Sequence, residues 1–238
     1  MTPTRIAVRR GASRAGVDLA VGALAPRLIS RDDARAHIAL AAAGMILLGG
    51  DHVHLEVDVG EGCVLELEDV GGTIAYRADG RPSAWTMNAR IETGGMLLWR
   101  GLPFVVTDGA DVERRSRVQL ARGATALIRE TLVLGRHGEP GGRISSSFAA
   151  ADPDGPVLVE RLDLDGPVPE PGVLGDHRVL DTVIALGVRP PVSIGDLELE
   201  HPGAIARHLG VETHTSRLDR VWEEWSALLR ERAPLSLD

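Results

Sequence analysis

Apolar and polar residues alternate along most of the chain between about residues 5 and 165. Within Leu47–Val70, every second residue from 53 to 59 is Val or Leu, and the residues between them are histidine or acidic. A period of two places alternate side chains on opposite faces, so the pattern predicts half-buried β-strands. Similar runs occupy residues 64–68, 86–92, 96–99, 112–120, 125–134, 143–149 and 157–164. No helical stripe of about ten residues separates them, which argues against a parallel βαβ fold.

A weak internal repeat runs through the same region. Gly62, Gly94 and Gly123 align at spacings of 32 and 29 residues, and a small residue follows each glycine. Every unit has the order strand, glycine turn, strand. Because the spacing is irregular and no polar signature is shared, we interpret the repeat as a series of hairpins and not as a solenoid.

The last part of the chain has a different pattern. Residues 165–200 are rich in glycine and proline, and residues 204–209 predict a short helix ended by Gly210. Residues 215–233 predict a longer helix, which Ser216 can cap. We predict an all-β fold of mainly antiparallel stacked sheets, of β-sandwich or β-helix type, with one or two short C-terminal helices. A single β-rich domain would span residues 1–200, and a helical appendage would span residues 201–238.

The longer predicted helix carries one apolar stripe. Its members are Leu218, Trp222, Trp225 and Leu229, at spacings of four, seven and eleven residues from the first. A stripe of this kind usually packs on the protein's own sheet. The alternative is that the four side chains bind a partner protein.

Composition excludes several classes of function. The net charge is −8, no basic stripe is present, and all 26 basic residues are arginine. The charge argues against nucleic-acid binding. The absence of lysine excludes Schiff-base chemistry and a P-loop lysine. No apolar segment approaches the roughly 20 residues of a membrane helix, no secretory signal is evident, and the single Cys63 fits a reducing compartment. We therefore expect a cytoplasmic protein that binds neither membrane nor nucleic acid.

A cluster of metal-ligand residue types marks the stretch at 47–70. A hairpin around residues 60–62 would place Glu56 opposite Glu66 and His54 opposite Glu68. Like charges directly opposite each other destabilise a sheet, and either water or a bound cation would relieve them. A solvated sheet face is the alternative, because no fixed ligand spacing is present. The candidate residues for weak cation contacts are Asp51, His52, His54, Glu56, Glu66 and Glu68.

Two further acids interrupt apolar strands, and no catalytic motif accompanies them. Glu130 lies in "ALIRETLVLG" and Glu160 in "PVLVERLDL". Each carboxylate is either on the wet face or buried, and a buried one would be a candidate for function. The chain contains neither a Gly-x-Ser-x-Gly nucleophile elbow nor a dinucleotide-binding glycine motif.

Five segments, in order, resemble the family of urease accessory protein D, called UreD or UreH. They are "LLGGD" (47–51), "LEVDVGEGCVLEL" (55–67), "GLPFVV" (101–106), "RSRVQLARGATALIRETLVLGR" (115–136) and "VERLDLDG" (159–166). The family usually continues with a Thr-Thr-Gln-Ala-Ala-Thr-Lys-x-Tyr run, where this chain has "EDVGGTIAYR" (68–77). The resemblance extends over roughly residues 10–170.

The resemblance implies a maturation factor and not an enzyme. Members have an all-β body of stacked sheets, bridge apo-urease to UreF and the GTPase UreG, and help nickel reach urease through an internal passage. On this chain Asp51 and Glu160, and with them Glu130, resemble polar residues that line the passage. No cofactor would be tightly bound, and Ni²⁺ would bind transiently. The alternatives are a metal-dependent hydrolase that uses His52 and His54, or a β-sheet interaction domain without a metal role.

Overall fold

The computed structural model describes residues 2–168 and 172–232. This part of the chain contains seventeen strands and one α-helix. The elements are β1 (Thr4–Arg9), β2 (Gly16–Ala20), β3 (Leu24–Arg31), β4 (Arg35–Ala42), β5 (His52–Val59), β6 (Val64–Asp69), β7 (Thr73–Ala75), β8 (Ser83–Ile91), β9 (Met96–Arg100), β10 (Phe104–Val106), β11 (Asp111–Leu120), β12 (Thr125–Leu134), β13 (Arg143–Asp152), β14 (Gly155–Asp165), β15 (Val179–Leu186), β16 (Leu197–Glu198), β17 (Gly203–Gly210) and α1 (Leu218–Arg232).

Two sheets stack face to face and enclose the main core. The seven-stranded sheet has the order β14-β13-β11-β8-β5-β1-β2. The ten-stranded sheet has the order β16-β17-β15-β12-β9-β6-β4-β3, with β10 beside β12 and β7 beside β10. The prediction of an all-β fold of stacked sheets with a short C-terminal helix is therefore confirmed. None of the helical residues described forms a segment long and apolar enough to span a bilayer.

The strands on either side of the turn at 60–62 belong to different sheets. β5 lies between β1 and β8, and β6 lies between β4 and β9, with parallel pairing throughout. The predicted hairpin is wrong, and so is the pairing of Glu56 with Glu66 and of His54 with Glu68. The turn is instead an arch that carries the chain from one sheet to the other. Alternation specifies which face of a strand is buried, but it does not specify which strand is its hydrogen-bonded neighbour.

The three repeats stack on one another as arches. The backbone N–H of Gly62 donates to the carbonyl of Thr93 at 3.0 Å, and that of Gly94 donates to the carbonyl of Arg122 at 3.1 Å. Each strand pairs with the equivalent strand of the next repeat, and the arrangement is therefore solenoid-like. The interpretation of the repeat as a series of hairpins is wrong. Among the described strands nine of fifteen pairings are parallel, and the antiparallel pairs lie toward the two ends of the stack. The expected predominance of antiparallel pairing is thus also wrong.

The short helix predicted at residues 204–209 is a strand. β17 pairs antiparallel with β15 along its whole length, from Gly203 to Gly210. Ile205 faces the main core, while Ala204 and Ala206 lie under α1. A short apolar run that is buried on both faces cannot be assigned to helix or strand from its pattern, which explains the error.

A second core lies between the ten-stranded sheet and α1. The apolar stripe of the helix packs on Val64, Met96, Leu98, Leu127 and Val183 of that sheet. Each of the stripe's side chains, Leu218, Trp222, Trp225 and Leu229, is buried. Burial of such side chains stabilises by about 1.5–3 kcal/mol each. The stripe therefore serves the protein's own fold, and a partner would reach it only if α1 left the sheet.

Candidate functional site

The acids and histidines of the 47–70 stretch lie on opposite outer faces of the sandwich. His52, His54 and Glu56 project from the outer face of the seven-stranded sheet, whereas Glu66 and Glu68 project from that of the ten-stranded sheet. The reason is the arch at 60–62, which turns the polar faces of β5 and β6 away from each other. In residues 2–168 and 172–232, no three His, Cys, Asp or Glu side chains converge as a metal site.

Asp51 has a structural position in the turn that precedes β5. Its Oδ2 accepts the backbone N–H of Leu48 at 3.0 Å, and its own N–H donates to the Leu48 carbonyl at 2.9 Å. Gly49 is required here, because a Cβ at this position would lie 2.2 Å from the carbonyl oxygen of Ala78. The Gly-Gly-Asp motif therefore forms a tight turn, and Asp51 does not line the interior.

Three polar side chains meet on the outer face of the seven-stranded sheet. His54 Nε2 lies 2.5 Å from Glu56 Oε1, and Asn88 Nδ2 lies 3.0 Å from the same oxygen and 3.2 Å from the imidazole. The register between β5 and β8 sets Asn88 directly beside Glu56. This half-exposed trio offers one nitrogen and a few oxygens to a cation, without enclosing it.

The two acids on the other outer face contact basic side chains. Arg230 of α1 donates to both carboxylate oxygens of Glu66, at 2.9 and 3.2 Å, and so ties the helix to β6. Glu68 lies 3.4 Å from His37 Nε2. Both contacts are at the surface, where an ion pair adds little stability.

Glu130 lies in the interior between the two sheets. It belongs to the ten-stranded sheet, and Arg114 of the seven-stranded sheet donates to its two carboxylate oxygens at 2.5 and 3.0 Å. Ser116 donates to the same carboxylate at 3.2 Å. The side chains of the pair are only 8% and 15% exposed. A charge buried to this extent is stable only because its partner and hydrogen bonds compensate its lost hydration.

Glu160 also faces the interior and joins the two sheets near one edge. It lies on β14, and Arg207 on β17 donates to both of its oxygens, at 2.7 and 3.0 Å. Arg207 further donates to Thr182 Oγ1 at 3.4 Å. Two of the three acids that resemblance to UreD implies as lining residues, Glu130 and Glu160, thus lie between the sheets, whereas Asp51 does not. Each of the two is paired with an arginine of the facing sheet.

Asp69 is a third acid that faces the interior, and it was not among the candidate residues predicted from the sequence. It is the last residue of β6, before the short loop that leads to β7. Its carboxylate accepts hydrogen bonds from the indole N–H of Trp99 at 3.1 Å and from the backbone N–H of Leu102 at 3.0 Å. Burial raises the pKa of Asp69 to about 6, while these hydrogen bonds and the charge of Arg114 act in the opposite direction. The signal was present, because an acid at position 69 continues the apolar register of Leu65 and Leu67.

Two small cavities adjoin Glu130 and together form a polar interior row. The first is lined by Asp69, Trp85 and Arg114, and the second by Glu160 and Arg207, with Glu130 common to both. Each has a volume of about 30 Å³, which is room for one or two water molecules. The indole N–H of Trp85 and the Nε–H of Arg114 are buried without a protein acceptor among the described residues. Buried donors normally find a partner, so the first cavity is suited to a molecule that offers acceptor atoms, such as water.

A separate polar network fastens α1 to the ten-stranded sheet. Asp181, only 1% exposed, accepts hydrogen bonds from Arg129 at 2.8 and 3.2 Å, from Thr131 at 2.8 Å and from Ser216 at 2.5 Å. Arg129 also donates to Asp219 in the first turn of α1, at 2.5 Å, and this bond lowers the pKa of Asp219. Burial alone would lower the pKa of Arg129, but the two carboxylates outweigh it and raise that pKa.

Comparison with known proteins decides the family. Residues 5–235, nearly the whole chain, match the family described as UreD urease accessory protein. The chain belongs to the UreD family. Its interior row of acids and arginines is therefore a feature of a urease accessory protein, a maturation factor and not an enzyme.

Individual relatives support the same assignment. The chain is 43% identical over 232 residues to urease accessory protein UreD 1 of Streptomyces griseus subsp. griseus, an alignment that includes 94% of this chain and 91% of the relative. It is 33% identical to urease accessory protein UreD of Frankia alni, over 76% of this chain and 70% of that protein. It is 31% identical to urease accessory protein UreD of Streptomyces avermitilis, over 84% and 80%.

Proposed function

We propose that this UreD protein acts in urease maturation as a scaffold that bridges apo-urease to UreF and the GTPase UreG and assists nickel delivery. Nickel is cargo in this role and not a resident cofactor. The observation that carries the proposal is the row of interior carboxylates, Asp69, Glu130 and Glu160, with a cavity on each side of Glu130.

The chemistry of this row is suited to brief contact with a cation. Carboxylate oxygens bind divalent ions, but Glu130 and Glu160 are each already paired with an arginine. A nickel ion must therefore compete with Arg114 or Arg207, which weakens its binding at either acid. Weak binding favours transport, because an ion that binds tightly is not released to the next site.

Surface residues add contacts outside the interior row. In this proposal His54 and Glu56, with Asn88 beside them, form a weak loading site, and His52, Glu66 and Glu68 contribute only dispersed surface charge. Asp51 stabilises the turn before β5 through its hydrogen bond with Leu48, and it has no metal role. The hydrolase alternative is disfavoured, because His52 and His54 lie on the face opposite Glu66 and Glu68 and therefore share no ligand set with them.

Nickel transfer to urease in a reconstituted system tests the proposal. The chain would be co-expressed with urease apoprotein, UreF and UreG, and the assembled complex would be isolated and activated with Ni²⁺. We expect the double variant Glu130→Gln/Glu160→Gln to form the complex, because the amide oxygens can still accept hydrogen bonds from Arg114 and Arg207. The nickel content of urease should nevertheless fall at least several-fold, and thermal unfolding of the isolated variant verifies that it folds. Glu113→Gln, an exposed change on β11, is the matched control.

Two results would contradict parts of the proposal. Full nickel loading with the double variant would rule out the interior route and favour an interaction domain without a metal role. Failure of the wild-type chain to bind any of the three proteins would rule out the scaffold itself.

A further inference from the structure

One end of the sandwich leaves core-facing side chains uncovered. β2 and β3 are the terminal strands of the two sheets at this end. Leu19 on β2 is in register with Ile6, and Leu28 on β3 is in register with Ile38. Both isoleucines are fully buried, yet Leu19 is 37% and Leu28 39% exposed, because no further strand lies beyond them.

Two further large apolar side chains of the same segment are exposed. Val21, in the turn between β2 and β3, and Ile29, on β3, are each about half exposed. We call Leu19, Val21, Leu28 and Ile29 the N-terminal end surface. Several large apolar side chains exposed at one end of a folded protein commonly mark an interaction site.

The opposite end of the sandwich is closed differently. There Glu160 on β14 and Arg207 on β17 form an ion pair across the two sheets. Among the described ion pairs, none joins β2 to β3. The two ends of the sandwich therefore differ in that an ion pair joins the sheets only at the end formed by β14 and β17, as far as the described residues show.

The N-terminal end surface lies in the basic part of an acidic protein. Seven arginines against three aspartates give the first 35 residues a formal charge of +4, so the other residues together carry −12. Arg27 and Arg31 lie on β3, the same strand as Leu28 and Ile29, and both are exposed. A basic rim around an apolar centre is complementary to a partner that presents acidic residues around an apolar one.

Two features of β3 argue against a second copy of the same end as the occupant. Pro26 and a β-bulge between Leu28 and Ser30 interrupt the regular edge of the strand. Proline and bulges on edge strands prevent a sheet from continuing into another chain. In addition, two copies of the same +4 region would repel each other.

We infer that the N-terminal end surface docks a partner segment whose apolar residues are flanked by Asp or Glu. The contact is made by side chains, with Leu19 and Leu28 at its centre and Arg27 and Arg31 at its rim. The inference rests on the proposed scaffold role in that the partner belongs to the urease maturation complex.

The experiment combines two pairs of substitutions with a matched control. Leu19→Asp/Leu28→Asp adds negative charge to the apolar centre, and Arg27→Ser/Arg31→Ser removes two basic groups from the rim. Val159→Asp, on the terminal strand β14 at the opposite end, is the control, since Val159 is 73% exposed. Each variant would be co-expressed with urease apoprotein, UreF and UreG, and thermal unfolding of each isolated variant would verify that it folds.

We expect the leucine pair to bind the complex at least tenfold more weakly than wild type and the control to bind like wild type. Hydrogen exchange of the wild-type complex should show protection at residues 16–31. Raising NaCl from about 0.1 M to about 1 M shortens the range of charge interactions from about 10 Å to about 3 Å. Wild-type binding should therefore weaken with salt, and binding of the arginine pair should depend less on salt.

Each other outcome has a definite meaning. Normal binding by the leucine pair, with protection elsewhere, overturns the inference and leaves the scaffold role intact. Absence of any complex with the wild-type chain overturns both the inference and the scaffold role. Self-association of the isolated chain that the leucine pair abolishes would show a second copy as the occupant and overturn the acidic partner. If the leucine pair does not fold, Leu19→Ser/Leu28→Ser and the arginine pair give the same decision.

Discussion

Arg114 and Glu130 come from facing strands of different sheets and form a bidentate ion pair in the interior, at 2.5 and 3.0 Å. The pair lies between two cavities and joins the sheets at the middle of the sandwich. Its position makes Glu130 both a structural element and the central acid of the proposed nickel route. The two roles can be separated, because stability and nickel transfer are measured independently.

Removal of one member of this pair should destabilise the fold strongly. Glu130→Leu leaves Arg114 buried without its counter-charge, which costs about 3–5 kcal/mol. The double variant Arg114→Met/Glu130→Leu removes both charges and should recover most of that loss. Urea unfolding of wild type, the two single variants and the double variant provides the full cycle. If the two single losses simply add in the double variant, the pair is not coupled as the structure indicates.

Asp69 should make the protein less stable as pH rises through mildly acidic values. Its pKa is about 6 in the fold, above the ordinary 3.8, so the folded state binds more protons than the unfolded state between these values. Stability from this group is present in full below pH 3.8 and is lost as pH rises to about 6, by on the order of 1–3 kcal/mol. Asp69→Asn should remove that loss.

The measurement is unfolding by urea at a series of pH values from about 4 to 7. As pH rises across this range, the free energy of unfolding of wild type should fall relative to that of Asp69→Asn. Glu68→Gln removes the neighbouring carboxylate on the exposed face and is the control, which should follow wild type. Parallel curves for wild type and Asp69→Asn would show that Asp69 is not buried in its neutral form.

The network around Asp181 should hold α1 on the sheet. Asp181→Ala deprives Arg129, Thr131 and Ser216 of their acceptor, and a buried hydrogen-bonded group of this kind costs several kcal/mol to remove. We expect amide exchange in residues 218–232 to accelerate at least tenfold, with little change in β5 and β8. Arg220→Ala breaks only the exposed pair with Glu224 and should cost less than about 1 kcal/mol. Unchanged exchange in Asp181→Ala would show that apolar packing alone retains the helix.

Glycine should be required at position 94 because of the positive φ there, and not because a larger side chain would clash. Its φ is +64°, and a Cβ built there meets no atom within 4 Å. Gly94→Ala should therefore cost about 1–2 kcal/mol from backbone strain alone. Gly44→Ala is the matched control, because that position is equally open and lacks a positive φ. The check is thermal unfolding of both variants, and an equal effect at the two positions would contradict the interpretation.

The sequence was informative about local structure and about burial. Alternation predicted the strands, the glycine repeat located the turns that stack, and the helix stripe at residues 218–229 predicted the surface that packs on the sheet. Resemblance to UreD pointed to Asp51, Glu130 and Glu160; the two glutamates lie between the sheets, whereas Asp51 lies in the turn before β5. Asp69 was overlooked although its position in the apolar register of β6 could have revealed it.

Local periodicity by itself determined that this protein is built of half-buried strands and carries an amphipathic helix near its C-terminal end, because the buried face of a strand or helix follows from the spacing of its apolar residues. Only the tertiary structure decided that β5 and β6 belong to different sheets, and with it that His54 and Glu68 point in opposite directions. It also decided that Glu130 meets Arg114 and that Asp181 meets Ser216. These partners are distant in the chain, and their contacts depend on how the sheets stack, which period-two patterning does not specify.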